Sequence, residues 1–344
     1  MRHINIPIFI PHLGCPNGCV FCNQRSISGR QEFDPADMER EIECVLSTVG
    51  EDDETEIAFF GGSFTGIDRG LMVELLERAQ RFADEGRVSS IRLSTRPDYI
   101  DRQILDILSR YSVKTVELGL QSMDDTVLAA SKRGHTAERG KEACTLVKEY
   151  GFSLIGQMMI GLPESDVARE VMTAKTLCDI GVDGARVYPT VVFEDTELCD
   201  MAKRGEYQPL ALSDAVARTK AVLNVFRQHD VPCIRVGLCA SENLSSDKVF
   251  GGANHSAIGE LAMGEIYFEE MCRLLDGCGD VTGKTVIFYV ARGAVSRAVG
   301  QKKVNTERIY KKYSPLRVKV LEKNQLLRYN IMIGSVEENC GSRM

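Results

Sequence analysis

The sequence predicts an α/β protein, a parallel sheet of six strand–helix units followed by a small α+β C-terminal domain. Three observations predict it. Short apolar runs alternate with amphipathic helical stretches six times before residue 240. Each strand run stops at Gly, Pro, Cys or polar residues, and parallel sheets place their ligands at those strand ends. From about residue 281 the alternation gives way to a strand–helix–helix–strand order with a basic charge balance.

The six strand candidates are residues 4–10, 57–60, 90–94, 115–120, 153–160 and 185–188, rich in Ile, Val, Leu and Phe between turn formers. The first helix is expected to open at Asp34-Pro35, an N-cap with proline at N1, and to bury Met38, Ile42, Val45, Leu46 and Val49. Later helices carry Leu71, Leu75 and Leu76, then Ala143, Leu146 and Val147, then Val167, Val171, Ala174 and Cys178. One more, through Val216, Val222, Leu223 and Phe226, follows the sixth strand. Strict alternation demands a parallel sheet with helical crossovers. Periodicity leaves a doubly wound sheet and a full or partial barrel equally open.

Near the C-terminus, residues 286–290 read as a strand, 294–299 as a short helix and 300–303 as a tight basic turn. A helix over 306–313 and a strand over 316–321 follow. The expected organisation is a sheet domain over 1–240, a connecting helical segment over 241–280, a basic module over 281–334 and a flexible tail over 335–344.

A composition of 44% hydrophobic and 26% charged residues excludes a mostly disordered chain. No apolar run reaches the roughly 18 to 20 residues that span a bilayer. The N-terminal apolar run is broken by Pro7 and Pro11 and lacks a cleavage site, so it reads as a strand and the expected compartment is the cytoplasm. The net charge of −7 hides a basic end: residues 281–330 hold twelve Lys and Arg against two Asp and Glu. Such a module suits a polyanion, although a solvated basic helix has the same composition.

Twelve cysteines without an export signal are expected to be thiols, metal ligands or catalytic groups. Cys44, Cys144, Cys178, Cys233 and Cys272 fall in apolar patterns as small core residues. Cys15, Cys19 and Cys22 differ, because they follow the first strand at C-x3-C-x2-C spacing. Three thiolates on one loop can hold an iron–sulfur cube and leave one iron open to a ligand. A closed zinc site needs a fourth ligand, for which His3 and His12 are the candidates, and no second Cys-x2-Cys pair is present.

This triplet, with Phe21 before its last cysteine, resembles the cluster motif of the radical S-adenosylmethionine (SAM) superfamily. Further motifs end the successive strands in order: Gly61-Gly62-Ser63-Phe64-Thr65, Ser94-Thr95-Arg96, Gln121-Ser122 followed by Lys132-Arg133-Gly134-His135-Thr136, Gln157 to Gly161-Leu162-Pro163, and Arg186-Val187-Tyr188-Pro189. Together they are similar to the elongator-protein-3-like branch and its oxygen-independent coproporphyrinogen oxidase cousins. The resemblance implies a partial parallel (β/α)6 radical SAM barrel. It implies that Cys15, Cys19 and Cys22 hold a [4Fe-4S] cluster whose open iron chelates SAM, and that an electron from a flavodoxin or ferredoxin splits SAM to a 5′-deoxyadenosyl radical. Phe21, Gly61, Gly62, Ser63, Thr65, Ser94, Arg96, Gln121, Ser122, Gln157, Gly161 and Leu162 are the implied cofactor contacts. Tyr188 and Gln121 are the implied catalytic residues. Lysine commonly stands in that branch where Arg186 stands here, so no role carries over to Arg186.

Residues 296–305, with the flanking strands, resemble the helix–loop–helix heart of a KH RNA-binding domain, with Lys303 where the loop's second glycine normally falls. The expected substrate is therefore RNA, in particular tRNA, and the branch points to a wobble uridine. The family's acetyltransferase domain has no counterpart here, so an acetyl-coenzyme-A-dependent reaction does not carry over. The alternatives are a porphyrinogen-type small-molecule oxidase and a non-catalytic iron–sulfur protein that binds RNA. Cys233, Cys239, Cys272 and Cys278 form no compact set, and no auxiliary cluster is expected.

Overall fold

The structure, a computed structural model, describes residues 3–10, 13–15, 18–23, 33–50, 52–238, 248–326 and 329–337. The chain divides into two compact units, residues 1–215 with 228–256, and residues 216–227 with 257–344. The segment 241–280 is thus divided between the two.

The first unit holds a seven-stranded sheet of β1 (His3–Ile10), β2 (Glu54–Gly61), β3 (Ser90–Thr95), β4 (Val113–Gln121), β5 (Ser153–Ile160), β6 (Gly184–Pro189) and β8 (Cys233–Val236). Every neighbouring pair is parallel, and the spatial order follows the chain without reversal. A doubly wound sheet reverses at its switch point, so this order selects barrel-type winding, and the sheet is a curled half-barrel. The six expected strands are all present, and β8 extends them.

The crossovers are α1 (Asp37–Leu46), α2 (Arg69–Asp84), α3 (Arg102–Leu108), α4 (Asp125–Ala130), α5 (Ala137–Glu149) and α6 (Val167–Ile180). Side-chain caps start five of them: Asp68 accepts from the Leu71 amide, Asp101 from Ile104, Asp124 from Thr126 and Val127, Thr136 from Arg139 and Asp166 from Arg169. Alternation in the strands sorts the two sheet faces. Ile6, Ile8, Ile57, Phe59, Ile91, Leu93, Val116, Leu118 and Leu154 are fully buried on one face. The other face carries Glu56, Arg92, Glu117, Gln157, Arg186, Tyr188 and Arg235.

Several expectations need correction. The first helix begins at Asp37 rather than at Asp34-Pro35, because the Asp34 carboxylate caps the Ala36 amide in a turn ahead of it. Val167 is 45% exposed and opens α6 without joining its buried stripe. Cys44 is exposed, whereas Cys144, Cys233 and Cys272 are buried as expected. Burial pushes the Cys144 thiol up to about 12 and the Cys178 thiol to about 11. Residues 249–252, outside the six expected strands, form β9 (Val249–Gly252), which pairs antiparallel with β7 (Val191–Phe193). Between β7 and β8 lie α7 (Glu197–Lys203) and α8 (Leu212–Gln228).

The second unit contains α9 (Ile258–Asp276), β10 (Thr285–Val290), α10 (Val295–Val299), α11 (Val304–Tyr313), β11 (Arg317–Glu322) and β12 (Ile331–Glu337). The strand order is β11-β10-β12, with β11 parallel and β12 antiparallel to β10. Val286, Phe288, Val290, Ala298 and Ile309 are fully buried in its core with Tyr267 and Met271. β12 occupies the start of the expected tail, and residues 338–344 lie outside the described residues. Among the described residues no helix is long and apolar enough to cross a membrane.

Candidate active site

The site is built where β1 and β2 end. The Gly62 amide donates to the Ile10 carbonyl at 2.7 Å and the Ser63 amide to the Leu13 carbonyl at 3.0 Å. A Cβ at Gly62 would stand 2.0 Å from the Leu13 carbonyl oxygen, and one at Gly14, whose φ is +71°, 2.2 Å from that of Ser63. Glycine is thus required for the backbones to touch, and the contact fastens the root of the cysteine loop to the glycine motif. The Ser63 hydroxyl, 1% exposed, lies 3.5 Å from the Cys15 sulfur. The Cys22 amide turns back onto the Cys19 carbonyl at 3.0 Å, and Phe21 packs against a small cluster of Val20, Val192, Leu198, Cys199 and Tyr207.

Two buried guanidinium groups converge on Cys19. Arg133 brings Nη1 to 3.4 Å from the sulfur, and Arg96 brings Nη1 to 3.9 Å. Arg133 also donates from Nη2 to the Gly119 carbonyl on β4, and Arg96 donates to the Arg133 carbonyl. Arg96 is clamped by Asp98, with Nε–Oδ1 at 2.9 Å and Nη2–Oδ2 at 2.8 Å. Burial works against the Arg96 charge, but Asp98 and the Cys19 and Cys15 sulfurs outweigh it and raise its pKa. Arg133 stands in the Lys132–Thr136 motif, whose spacing alone assigns it no role.

Across the inner face runs a chain of buried charges. Arg92 bonds Glu56 and Glu117, both at 2.7 Å, and Glu117 grips Arg186, with Nε at 2.8 Å and Nη2 at 2.9 Å. Arg186 lies over the Phe60 ring, 5.3 Å from its centroid, and its Nη1 is 3.4 Å from the Tyr188 hydroxyl. Burial raises the Tyr188 pKa despite the opposing charge of Arg186. Ser94 is half-buried with its hydroxyl 3.4 Å from Glu117, and Gln157 pairs in register with Gly119 and Arg186.

Gln121 ends β4 with φ +68°, a left-handed conformation that costs a non-glycine residue about 1 to 2 kcal/mol. Its Oε1 is buried and lacks a hydrogen-bond partner among the described residues. Thr65 engages its hydroxyl with Thr95 and the Tyr99 carbonyl, at 2.7 and 2.8 Å. Ser122 accepts from the Asp124 amide at 3.1 Å and lies 3.5 Å from the Thr173 hydroxyl. Gly161, at φ +79°, accepts from the Tyr207 hydroxyl at 2.6 Å and has no room for a Cβ beside Leu210, and Leu162 is buried next to it. His12 and Cys239 lie outside the described residues.

Among the described residues no three His, Cys, Asp or Glu side chains are grouped closely enough to hold a metal ion. Neutral thiols gain little from proximity to one another, so Cys15, Cys19 and Cys22 have no cause to converge without a metal. Their chemistry suits an iron–sulfur cluster. Three thiols share one fastened loop, and two buried guanidinium groups beside Cys19 offer counter-charge to an anionic cluster. The orphaned Gln121 Oε1 offers an acceptor for a ligand's donor group.

Residues 9–174 match the family model of the Radical SAM superfamily, and residues 182–269 match that of the Radical_SAM C-terminal domain. The chain thus carries a radical SAM domain followed by a Radical_SAM C-terminal domain. A tRNA uridine(34) acetyltransferase of Methanocaldococcus jannaschii is 29% identical over 59% of this chain and 45% of its own length. The Elongator complex protein 3 of Schizosaccharomyces pombe is 28% identical over 64% of this chain and 50% of its own. The chain thus spans about half the length of these curated relatives. In fold it is similar to the archaeal Methanocaldococcus infernus Elp3, at TM-score 0.61 and 22% identity, over 78% of this chain and 63% of that one.

Proposed function

We propose that this protein is a radical SAM enzyme that modifies RNA, with tRNA as the substrate class and a flavodoxin or ferredoxin as the electron source. Cys15, Cys19 and Cys22 would hold a [4Fe-4S] cluster, and the observation that carries the reading is the pair of buried guanidinium groups on Cys19. The bound cluster supplies the electron that reductively cleaves SAM.

The chain's own residues shape the surroundings. Arg133 and Arg96 place positive charge beside the cysteine loop. Gly61 and Gly62 keep side chains out of the space at the end of β2. Gln121 presents a preorganised acceptor from a strained backbone position, where strain is found at ligand sites. Glu117, through Arg186, orients the Tyr188 hydroxyl, and burial keeps its proton in place at neutral pH.

The RNA part of the reading is supported by the names of the relatives, which include tRNA-modifying enzymes, and by the basic C-terminal module. The test is anaerobic reconstitution with iron and sulfide, reduction, addition of SAM and measurement of 5′-deoxyadenosine, with a Cys19→Ala control. Product from the native protein alone supports the reading. Tight zinc binding with no cluster and no SAM cleavage overturns it.

A further inference from the structure

We propose that the open face of the β10–β11–β12 sheet is a stacking platform for the bases of single-stranded RNA, centred on Tyr289. The proposal rests on the RNA reading above and assigns the surface. One face of this sheet closes on the core through Val286, Phe288 and Val290, all fully buried. The alternate residues point the other way. On that side Ile287 and Tyr289 are half-buried beside their register partners Lys319 and Leu321, and Leu321 is 43% exposed.

Tyr289 is laid flat by its neighbour. A Cβ at Gly334 would stand 2.2 Å from Tyr289 Cε2, so only glycine lets the ring rest against the β12 backbone. A ring seated on a strand presents its remaining face outward, the geometry on which a base stacks. The Lys323 ammonium lies over the ring, 5.6 Å from its centroid, and donates to the Met332 sulfur at 3.6 Å, so it borders the platform without an anionic partner among the described residues. Arg317, Lys319 and Lys323 are not ion-paired among the described residues, and all three belong to the face or its border. Unpaired cations around an aromatic platform match a chain of phosphates with accessible bases. A duplex hides its base faces, so the occupant is single-stranded.

The experiment uses the full chain and fluorescence anisotropy with a labelled oligouridine and a labelled RNA duplex. Stacking is worth about 1 to 3 kcal/mol per base, so Tyr289→Ala is expected to weaken oligouridine binding by about 5- to 150-fold. Tyr289→Phe keeps the affinity, and duplex binding is the same in all three proteins. Lys319→Ala, which leaves the ring alone, lowers the salt slope of oligouridine binding by about 0.7. Equal oligouridine affinity in the native and Tyr289→Ala proteins, with native circular dichroism, overturns the platform and leaves the RNA reading standing. A native protein that binds no RNA overturns both. A dimer that Tyr289→Ala dissociates, with RNA binding unchanged, assigns the face to a second copy instead.

Discussion

Arg133 and Cys19 meet across 114 residues of chain, with guanidinium Nη1 3.4 Å from the sulfur. Arg133 is 6% exposed, and its other terminal nitrogen holds the Gly119 carbonyl, so one side chain ties the cysteine loop to the middle of the sheet. A charge-assisted bond of this kind is worth about 1.5 to 3 kcal/mol. Arg133→Met is expected to lose cluster iron to a chelator about tenfold faster than the native protein, and Arg133→Lys to fall between them. Iron release followed by absorbance checks this.

Gly62→Ala is expected to abolish cluster assembly while the half-barrel stays folded. The added carbon would stand 2.0 Å from the Leu13 carbonyl and force the loop root off the end of β2. Gly50→Ala is the control, since a carbon there meets nothing nearer than 3.6 Å. Iron content after reconstitution, beside a circular dichroism spectrum, separates the two outcomes.

Glu117→Gln removes the carboxylate that both Arg92 and Arg186 share. Removing one partner from a buried ion pair costs about 3 to 5 kcal/mol, because the remaining charge stays desolvated. A melting temperature lowered by several degrees is expected, with Glu117→Asp intermediate. An unchanged melting temperature would show that this chain of charges does not support the barrel.

These contacts mark what the sequence could and could not reveal. The six strands were legible because each is a short apolar run between turn formers, with residues such as Ile57, Phe59, Leu93 and Leu118 fully buried. β8 was not, being four residues long with Arg235 in it, and β7 and β9 pair across a long stretch of chain. β12 was hidden by Gly334, which breaks the alternation where the register with β10 shifts. The cysteine loop and glycine pair were legible as spacing. The Arg133–Cys19 contact was not, since a partner so distant leaves no local pattern. For Thr65 and Ser122 the motif position implies ligand contact; the structure also gives their hydroxyls the distant partners Thr95 and Thr173, which no local pattern shows.

Burial, reinforced by the Arg133 charge, pushes His135 down to about 4. Above the ordinary value of about 6.5 the ring is neutral in folded and unfolded chains alike. Below it the unfolded chain takes up a proton that the folded chain refuses, so stability falls with pH until the loss is complete near 4. The contribution is on the order of 1 to 3 kcal/mol. Melting temperatures of native protein and His135→Gln should therefore converge or cross as pH falls from 7 to 4.5, with the native curve the steeper. The His135 ring proton resonances should stay at their neutral positions down to pH 5.

Lys303→Gly offers the last test, on the loop between α10 and α11. Lys302 and Lys303 take φ of +52° and +64°, consecutive left-handed residues one position beyond Gln301, which follows Gly300 at +78°. A left-handed lysine costs about 1 to 2 kcal/mol that glycine does not, and glycine's greater freedom in the unfolded chain returns roughly 0.5 to 1 of it. The loop's neighbour Asn305, 1% exposed, holds the Gly264 and Ala298 carbonyls at 2.8 and 3.1 Å, so the helix beyond is anchored whichever residue fills the turn. Lys303→Gly is thus expected to raise stability by about 0.5 kcal/mol, and Asn305→Ala, which removes both of these buried hydrogen bonds, to lower it by about 2. Denaturant midpoints measure both. A Lys303→Gly protein less stable than the native one would mean that the lysine side chain holds the turn, and that the left-handed backbone there costs little.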